Sequence, residues 1–201
     1  MGAAQRLFAR MRAEAIAGQY LDLRGQTAGP AEWTVDRALQ VTRLKTARYT
    51  VTRPLQIGAA LGGGSDELLA TYAAFGDPLG EAFQLRDDIL GCFGAARATG
   101  KSVLDDLRAA KPTVLLAATF ARAGKDQAAM LRLLVGDPDL DDAGAGQVLA
   151  VMRATGALAM TEGLIERRWR RAMRALDAAP VDPAVRAELA TLAAKAVRRS
   201  S

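Results

Sequence analysis

Histidine is absent from this sequence of 201 residues, and cysteine occurs once, at Cys92. Without histidine, the chain cannot use imidazole as a general base or as a metal ligand. A single cysteine cannot form an internal disulfide, which fits a reducing compartment. The apolar runs are shorter than the roughly 20 residues that span a bilayer, and the arginine-rich residues 1–12 are unlike a signal peptide. The sequence therefore predicts a cytoplasmic protein with no transmembrane segment.

The chain is basic, with a formal net charge of +5, and arginine supplies most of the positive charge. Its densest basic patch is Glu166–Arg171, followed one turn later by Arg174. Clustered arginine can displace counterions from nucleic-acid phosphates. However, the sequence has neither a helix-turn-helix signature nor a sheet motif with interleaved aromatic residues. We therefore predict no nucleic-acid partner and interpret the patch as a solvated helix face or a subunit contact.

Strand signals are also scarce, because apolar residues recur at helical spacing and alanine is abundant. We predict an all-α fold in one domain, with Thr34 and Ser65 as N-caps. An irregular turn is predicted after Gly18, through residues 25–30, and a kink or a short reset of the helix is predicted at 76–78. A polar loop is predicted over 94–106, and Pro112 is predicted to open a helix. The predicted helices cover residues 4–18, 34–45, 49–61, 65–93, 112–122, 126–134, 144–155, 158–176 and 183–198.

Two adjacent acids, Asp87 and Asp88, lie on the predicted helix 65–93. Their carboxylates project about 100° apart around the axis, and Gln84 lies three and four residues earlier on the same face. Neighbouring carboxylates on a mostly apolar helix are unfavourable unless cations or water neutralise them. Oxygen ligands of this kind suit Mg²⁺, which commonly bridges carboxylates to substrate phosphates. The alternative is an exposed helix face with two solvated acids.

Lysine is rare in this arginine-rich chain, yet three of its few lysines lie near other polar motifs. Lys45 precedes Thr46, Lys101 lies in the predicted loop, and Lys111 follows the acidic pair at 105–106. A diphosphate bridged by metal ions needs compact cations around it to balance its charge. These lysines favour a diphosphate site over a generic solvated face.

Several short motifs occur together in a fixed order along the chain. They are Gly18-Gln19 with Asp22, Lys45-Thr46 with Tyr49, residues 82–91, residues 99–101, residues 105–107 and residues 111–113. In this order and spacing the chain resembles the trans-isoprenyl (polyprenyl) diphosphate synthases, and geranylgeranyl-type synthases most. The resemblance implies a helical bundle of the isoprenoid synthase type.

The resemblance also implies a reaction, the head-to-tail transfer of a prenyl group in isoprenoid biosynthesis. An allylic prenyl diphosphate ionises with the help of Mg²⁺, and isopentenyl diphosphate attacks the resulting cation. Asp87 and Asp88 match the metal-binding second aspartate-rich motif, and Gln84 is implied to support it. Lys45, Lys101 and Lys111 are implied, with Gln84, to hold the diphosphate.

The reacting end of the substrate is implied to lie against Thr46 and Gln19. Their oxygen dipoles can stabilise a developing carbocation, and the resemblance implies that Lys45, next to Thr46 in the sequence, acts with them as a catalytic residue. The physical basis is electrostatic, since cations stabilise the departing diphosphate and a dry cavity shelters the carbocation from water.

The sequence departs from the family pattern in two places. The third acidic position of the second motif is Gly91, which removes one possible carboxylate. In addition, no first aspartate-rich motif precedes Asp87. Asp66-Glu67 fits a helix first turn, and residues 137–142 fit a loop with capping residues.

We therefore expect residues 1–201 to be a single but incomplete domain, the C-terminal portion of the family fold without its N-terminal helices. Such a chain would expose an apolar wall, which implies either a partner or poor solubility. We expect either a homodimer or a complex with a full-length homologue, and in the complex the homologue would supply the first aspartate-rich motif. The alternatives are a non-catalytic regulatory subunit or a truncated inactive homologue, with a terpene-cyclising relative as a weaker possibility.

Overall fold

The computed structural model describes residues 2–94 and 103–198, and within those ranges it contains helices and no strand. The all-α prediction is confirmed. The α-helices are α1 (Ala3–Ala28), α2 (Val35–Val41), α3 (Arg53–Leu61), α4 (Asp66–Phe93), α5 (Val103–Arg108), α6 (Val114–Arg122), α7 (Lys125–Leu134), α8 (Asp142–Ala154), α9 (Ala157–Asp177) and α10 (Pro183–Val197). A short 3-10 helix covers Pro30–Glu32 and a π-helix covers Thr42–Thr52.

Side-chain caps begin several of these helices, as the sequence predicts for two of them. The hydroxyl of Thr34 accepts a hydrogen bond from the backbone N–H of Arg37, and that of Ser65 accepts one from Leu68, both at 3.2 Å. Asp141 caps α8 in the same way by accepting from the backbone N–H of Gly144 at 2.7 Å. This bond confirms that the acidic segment 137–142 contains a capping residue. Each cap satisfies an amide that has no partner inside the helix.

Helix α1 is longer than predicted. It runs to Ala28, so the predicted helix end at Gly18 is wrong. The predicted irregular turn is also wrong as far as residue 28, because these residues are helical. Both glycines sit where another segment comes close. A Cβ on Gly18 would lie 2.6 Å from the backbone nitrogen of Lys45, and one on Gly25 would lie 3.0 Å from the Pro112 ring. Packing, rather than helix termination, explains these glycines.

The predicted gap between residues 45 and 49 is also wrong, because α2, the π-helix and α3 follow one another without a break. At the junction the N–H of Arg53 donates to the carbonyl of Arg48, five residues earlier. Pro54 follows, and its ring would clash with the carbonyl four residues before it in a regular α-helix. A wider turn before Pro54 accommodates that ring.

Two boundaries after α4 differ from the prediction. Helix α5 begins at Val103, so Asp105 and Asp106 lie in its first turn and not in a loop. Helix α6 begins at Val114, and Thr113 is its cap, accepting a hydrogen bond from the N–H of Leu116 at 3.2 Å. Helix α4 itself is continuous through Pro78.

The described chain divides into two compact units. The first contains residues 2–19, 40–84 and 164–198, and the second contains residues 20–39, 85–94 and 103–163. Phe75 and Leu176 are buried in the first unit, where Glu14 also pairs with the buried Arg53 at 2.7 Å. Fully buried side chains of the second unit include Leu85, Leu115, Leu131, Val148 and Met152.

No helix in the described ranges is by itself long and apolar enough to cross a membrane. Helices α8 and α9, which are bent by 63° relative to each other, meet the criteria of length and composition only when taken together.

Candidate functional site

Thr46 and Gln84 are in direct contact within the first unit. The Thr46 hydroxyl donates a hydrogen bond to Oε1 of Gln84 at 3.0 Å. One turn away on α4, Gly80 lies against Ala47 so closely that a Cβ on Gly80 would lie 2.4 Å from the Ala47 Cα. This approach of the two backbones is what brings the two polar side chains together. The structure thus joins the Lys45-Thr46 motif to the helix that carries the acidic motif.

The Gly18-Gln19 motif also meets the Lys45-Thr46 motif in the first unit. The backbone of Gly18 packs on that of Lys45, which leaves room for hydrogen only at the Gly18 α-carbon. Gln19 is exposed beside this contact, and Lys45 is half-buried. The structure therefore brings Gln19, Lys45, Thr46 and Gln84 onto neighbouring turns of the first unit. Their roles toward a substrate stay predictions.

Asp87 and Asp88 follow Gln84 on α4, within about one helical turn. Asp88 is only 5 % exposed, whereas Asp87 is half-buried. Cys92 lies one turn beyond Asp88 in the second unit. The pKa of the Cys92 thiol is raised to about 12, first by burial and then by the carboxylates of Asp88 and Asp106, while Lys111 opposes them. These charges therefore lie around one buried thiol.

Asp106 lies beside Gly91, the position at which the sequence differs from the family's second aspartate-rich motif. A Cβ on Gly91 would lie 3.1 Å from Oδ2 of Asp106, and Nζ of Lys111 lies 3.8 Å from Oδ1 of the same residue. The carboxylate of Asp106 thus stands next to the place that a third acid of the motif would take. The acidic pair at 105–106 was visible in the sequence, but its nearness to Gly91 depends on how α5 packs.

The acidic residues on α4 fit a magnesium ion in chemistry, because both are carboxylates and Mg²⁺ prefers oxygen ligands. In the described ranges, no group of three or more histidine, cysteine, aspartate or glutamate side chains is arranged to hold a metal ion. Asp87 and Asp88 would therefore supply only part of a coordination shell, with substrate oxygens and water completing it. Lys101, with Thr99 and Gly100, lies outside the described residues.

The basic patch on α9 is not simply a solvated face. Nε of Arg168 donates to the buried carboxylate of Glu81, and Nε of Arg43 donates to the other oxygen of that carboxylate at 2.7 Å. Arg170 does fit the predicted solvated face, since it pairs with Glu166 one turn earlier on the surface. The partnership of Glu81 with two arginines is a feature that sequence analysis missed, because it joins residues 38 and 87 positions apart.

Comparisons with known proteins show the family to which the chain belongs. The model of the polyprenyl synthetase family matches residues 3–152, so the chain belongs to that family. It is 40 % identical over 95 residues to geranylfarnesyl diphosphate synthase of Aeropyrum pernix. It is 31 % identical over 151 residues to the (2E,6E)-farnesyl diphosphate synthase of Mycobacterium bovis. These alignments cover 46 % and 75 % of this chain, but only 30 % and 41 % of the relatives.

A solved structure shows the same fold over nearly the whole chain. Geranylgeranyl pyrophosphate synthase from Corynebacterium glutamicum, complexed with isoprenyl diphosphate and magnesium, superposes with a TM-score of 0.92 at 37 % identity. The match covers 98 % of this chain and 55 % of that protein. The chain thus spans about half or less of the length of these relatives.

Proposed function

We propose that this chain supplies the lysine- and aspartate-bearing side of the substrate site in a prenyl diphosphate synthase. Its substrates would be an allylic prenyl diphosphate and isopentenyl diphosphate. The observation that carries the proposal is the hydrogen bond from Thr46 to Gln84, on the helix that also bears Asp87 and Asp88. It ties one predicted motif directly to another, and the chain's family membership gives the pair its chemical context.

Asp87 and Asp88 would hold magnesium together with the diphosphate oxygens of the substrate. Magnesium supplies, when bound, positive charge that stabilises the departing diphosphate. Asp88 is largely removed from water. A carboxylate in such a position interacts more strongly with a nearby cation than a solvated one does.

The basic side chains would position the diphosphate as the bond between the allylic carbon and oxygen breaks, with both electrons passing to the leaving group. Lys45 and Lys111 would balance that charge, and Lys101 matches the same role in the sequence. The Thr46 hydroxyl donates its hydrogen to Gln84, so the lone pairs of the hydroxyl oxygen point away from Gln84. We propose that they face the allylic cation, with Gln19 nearby, while the double bond of isopentenyl diphosphate attacks it to form the new carbon–carbon bond. The cation that results then loses a proton to an oxygen of the released diphosphate, which restores a double bond in the product.

A partner chain would complete the site. Four large apolar side chains on α1 are between 50 and 67 % exposed, namely Phe8, Ile16, Tyr20 and Leu23. Apolar exposure of this extent on one helix favours a protein contact. We propose a second copy or a full-length homologue as the partner, with the first aspartate-rich motif coming from a homologue. Without that motif the lost charge stabilisation would be several kcal/mol, by analogy with other sites that stabilise developing charge. A cytoplasmic location also stays a prediction.

The metal-ligand role is tested by titrating inorganic pyrophosphate into the chain with and without Mg²⁺ in a calorimeter. We expect Mg²⁺-dependent binding that Asp88→Asn weakens about tenfold or more, because the substitution removes one charged ligand. Asp139→Asn is the matched control, since Asp139 is an exposed acid of the second unit. Unchanged Mg²⁺-dependent binding by Asp88→Asn would remove Asp88 from the proposed metal site.

The partner requirement is tested by turnover. The chain is incubated with allylic and isopentenyl diphosphates and Mg²⁺, alone and with a full-length homologue whose own second aspartate-rich motif is inactivated. We expect product only in the mixture. Robust product from the chain alone would contradict the need for a partner. If the mixture forms no product but the chain still binds pyrophosphate in a Mg²⁺-dependent way, the result would instead favour a regulatory subunit or a truncated inactive homologue.

A further inference from the structure

A cavity of about 420 Å³ lies in the first unit, among the π-helix, α4 and α9. Three arginines line it, Arg43, Arg168 and Arg171, together with the acids Asp77 and Glu81 and small apolar side chains. Its volume falls within the range of small-molecule sites. None of these five charged residues belongs to the predicted prenyl-transfer motifs.

A buried carboxylate, that of Glu81, binds two of the three arginines. Glu81 is only 2 % exposed, and each of its oxygens accepts a hydrogen bond from Nε of one arginine, Arg43 or Arg168. A guanidinium that donates through Nε keeps its two terminal amino groups for other acceptors. Because Glu81 already fixes both side chains, binding an anion there requires little further ordering.

The charges around the cavity do not cancel. The three arginines face two acids, which leaves one net positive charge in the lining. Asp77 is in addition engaged by Arg48 at 3.4 Å and by the Thr52 hydroxyl at 2.6 Å. Within the described ranges no acid pairs with Arg171, which is exposed at the rim. The lining therefore has a deficit of negative charge that a bound anion would fill.

We propose that this cavity is a binding site for an oxyanion of the phosphate class, either free or as the head of a larger molecule. Arg171 and the terminal amino groups of Arg43 and Arg168 would bind its oxygens, since guanidinium groups match such anions with paired hydrogen bonds. The inference does not depend on the prenyl-transfer proposal, because it uses none of the residues assigned there. The Arg43–Glu81 pair does lie about one turn from the Thr46–Gln84 pair, so an anion here would be adjacent to the proposed substrate residues.

The test uses metal-free buffer, in which the proposed magnesium site cannot contribute. Inorganic phosphate, inorganic pyrophosphate and geranyl diphosphate are each titrated into the whole chain by calorimetry. We expect saturable binding that Arg171→Gln weakens about tenfold, because that substitution removes a charged donor without breaking an ion pair among residues 2–94 and 103–198. Arg174→Gln is the matched control, as Arg174 lies one turn further along α9 and does not line the cavity.

Tighter binding of geranyl diphosphate than of pyrophosphate would identify the anion as the head of a larger ligand, and equal binding would identify a free ion.

Three results would overturn the proposal. The first is no saturable binding of any of the three anions at millimolar concentration. The second is equal weakening by Arg171→Gln and Arg174→Gln, which would indicate attraction by overall charge. The third is loss of binding in Lys111→Gln with none in Arg171→Gln, which would assign the anion to the proposed substrate site. Circular dichroism of each variant confirms that the fold is retained.

Discussion

The contact of Gly80 with Ala47 gives a sharp prediction about stability. A Cβ on Gly80 would lie 2.4 Å from the Cα and 2.7 Å from the Cβ of Ala47, whose own side chain is fully buried. No change of rotamer can relieve these overlaps, because neither atom lies beyond a rotatable side-chain bond. In Gly80→Ala, α4 and the π-helix must therefore move apart.

The size of the effect follows from two opposing terms. Replacing glycine by alanine inside a helix stabilises it by about 1 kcal/mol. Inserting a methyl group into a packed contact typically costs about 1–3 kcal/mol, and here the clash with backbone places it at the upper end. We expect Gly80→Ala to lower the free energy of unfolding by about 2 kcal/mol.

The control is Gly146→Ala in α8, where an added Cβ would have nothing within 4 Å. That variant keeps only the favourable helix term, so its free energy of unfolding should rise by up to about 1 kcal/mol. Urea unfolding of both variants and the wild type measures the difference, provided that the denaturant slopes agree. If Gly80→Ala proved as stable as Gly146→Ala, the close approach of the two helices would be refuted.

Two further predictions concern titratable groups. Although burial raises the pKa of Glu14, its ion pairs with Arg53 and Arg48 outweigh this and hold the pKa below the ordinary 4.5. Its stabilisation is therefore present above the unfolded-state value and is lost as the pH falls through the lower folded-state value. Glu14→Gln should lower the free energy of unfolding by about 3 kcal/mol at pH 7 and by less at pH 4. Urea unfolding at the two pH values measures the difference, and an equal loss at both would contradict the ion pairing of Glu14. The Cys92 thiol, buried and with a pKa of about 12, should react with Ellman's reagent at pH 8 at least about 100-fold more slowly in the native protein than in urea, and comparable rates would show that it is accessible.

Much of the helical pattern was predictable because its signals are local. A hydroxyl before an apolar periodic segment specifies a helix start, and Thr34 and Ser65 both act as such caps. Glycine was the misleading signal, because the sequence alone does not distinguish a glycine that ends a helix from one that lets another backbone come close. Gly18 is of the second kind, and its reason is Lys45, a residue 27 positions away.

The candidate site shows the same division between local and distant information. The motif residues themselves were identified in the sequence, and the contact between Thr46 and Gln84 follows from the packing of two helices. Glu81 was not identified, because a single acid on an apolar helix has no signature of burial. Its two arginine partners come from segments far away in sequence, so only the fold reveals that this acid is paired.

Helix α4 carries its polar residues along one line, at spacings of four, three and four residues: Asp77, Glu81, Gln84 and Asp88. The two acids in the first half of this line are bound by arginines, whose rigid planar groups suit permanent ion pairs. In the second half, Asp88 and Lys111 both act on the Cys92 thiol, and this lysine carries a compact, strongly hydrated ammonium that is able to exchange partners. A chain that has many arginines and few lysines thus uses arginine where the acid is structural. It uses lysine where we propose that a diphosphate must bind and leave, which is the distinction expected if the second half of the line serves a substrate.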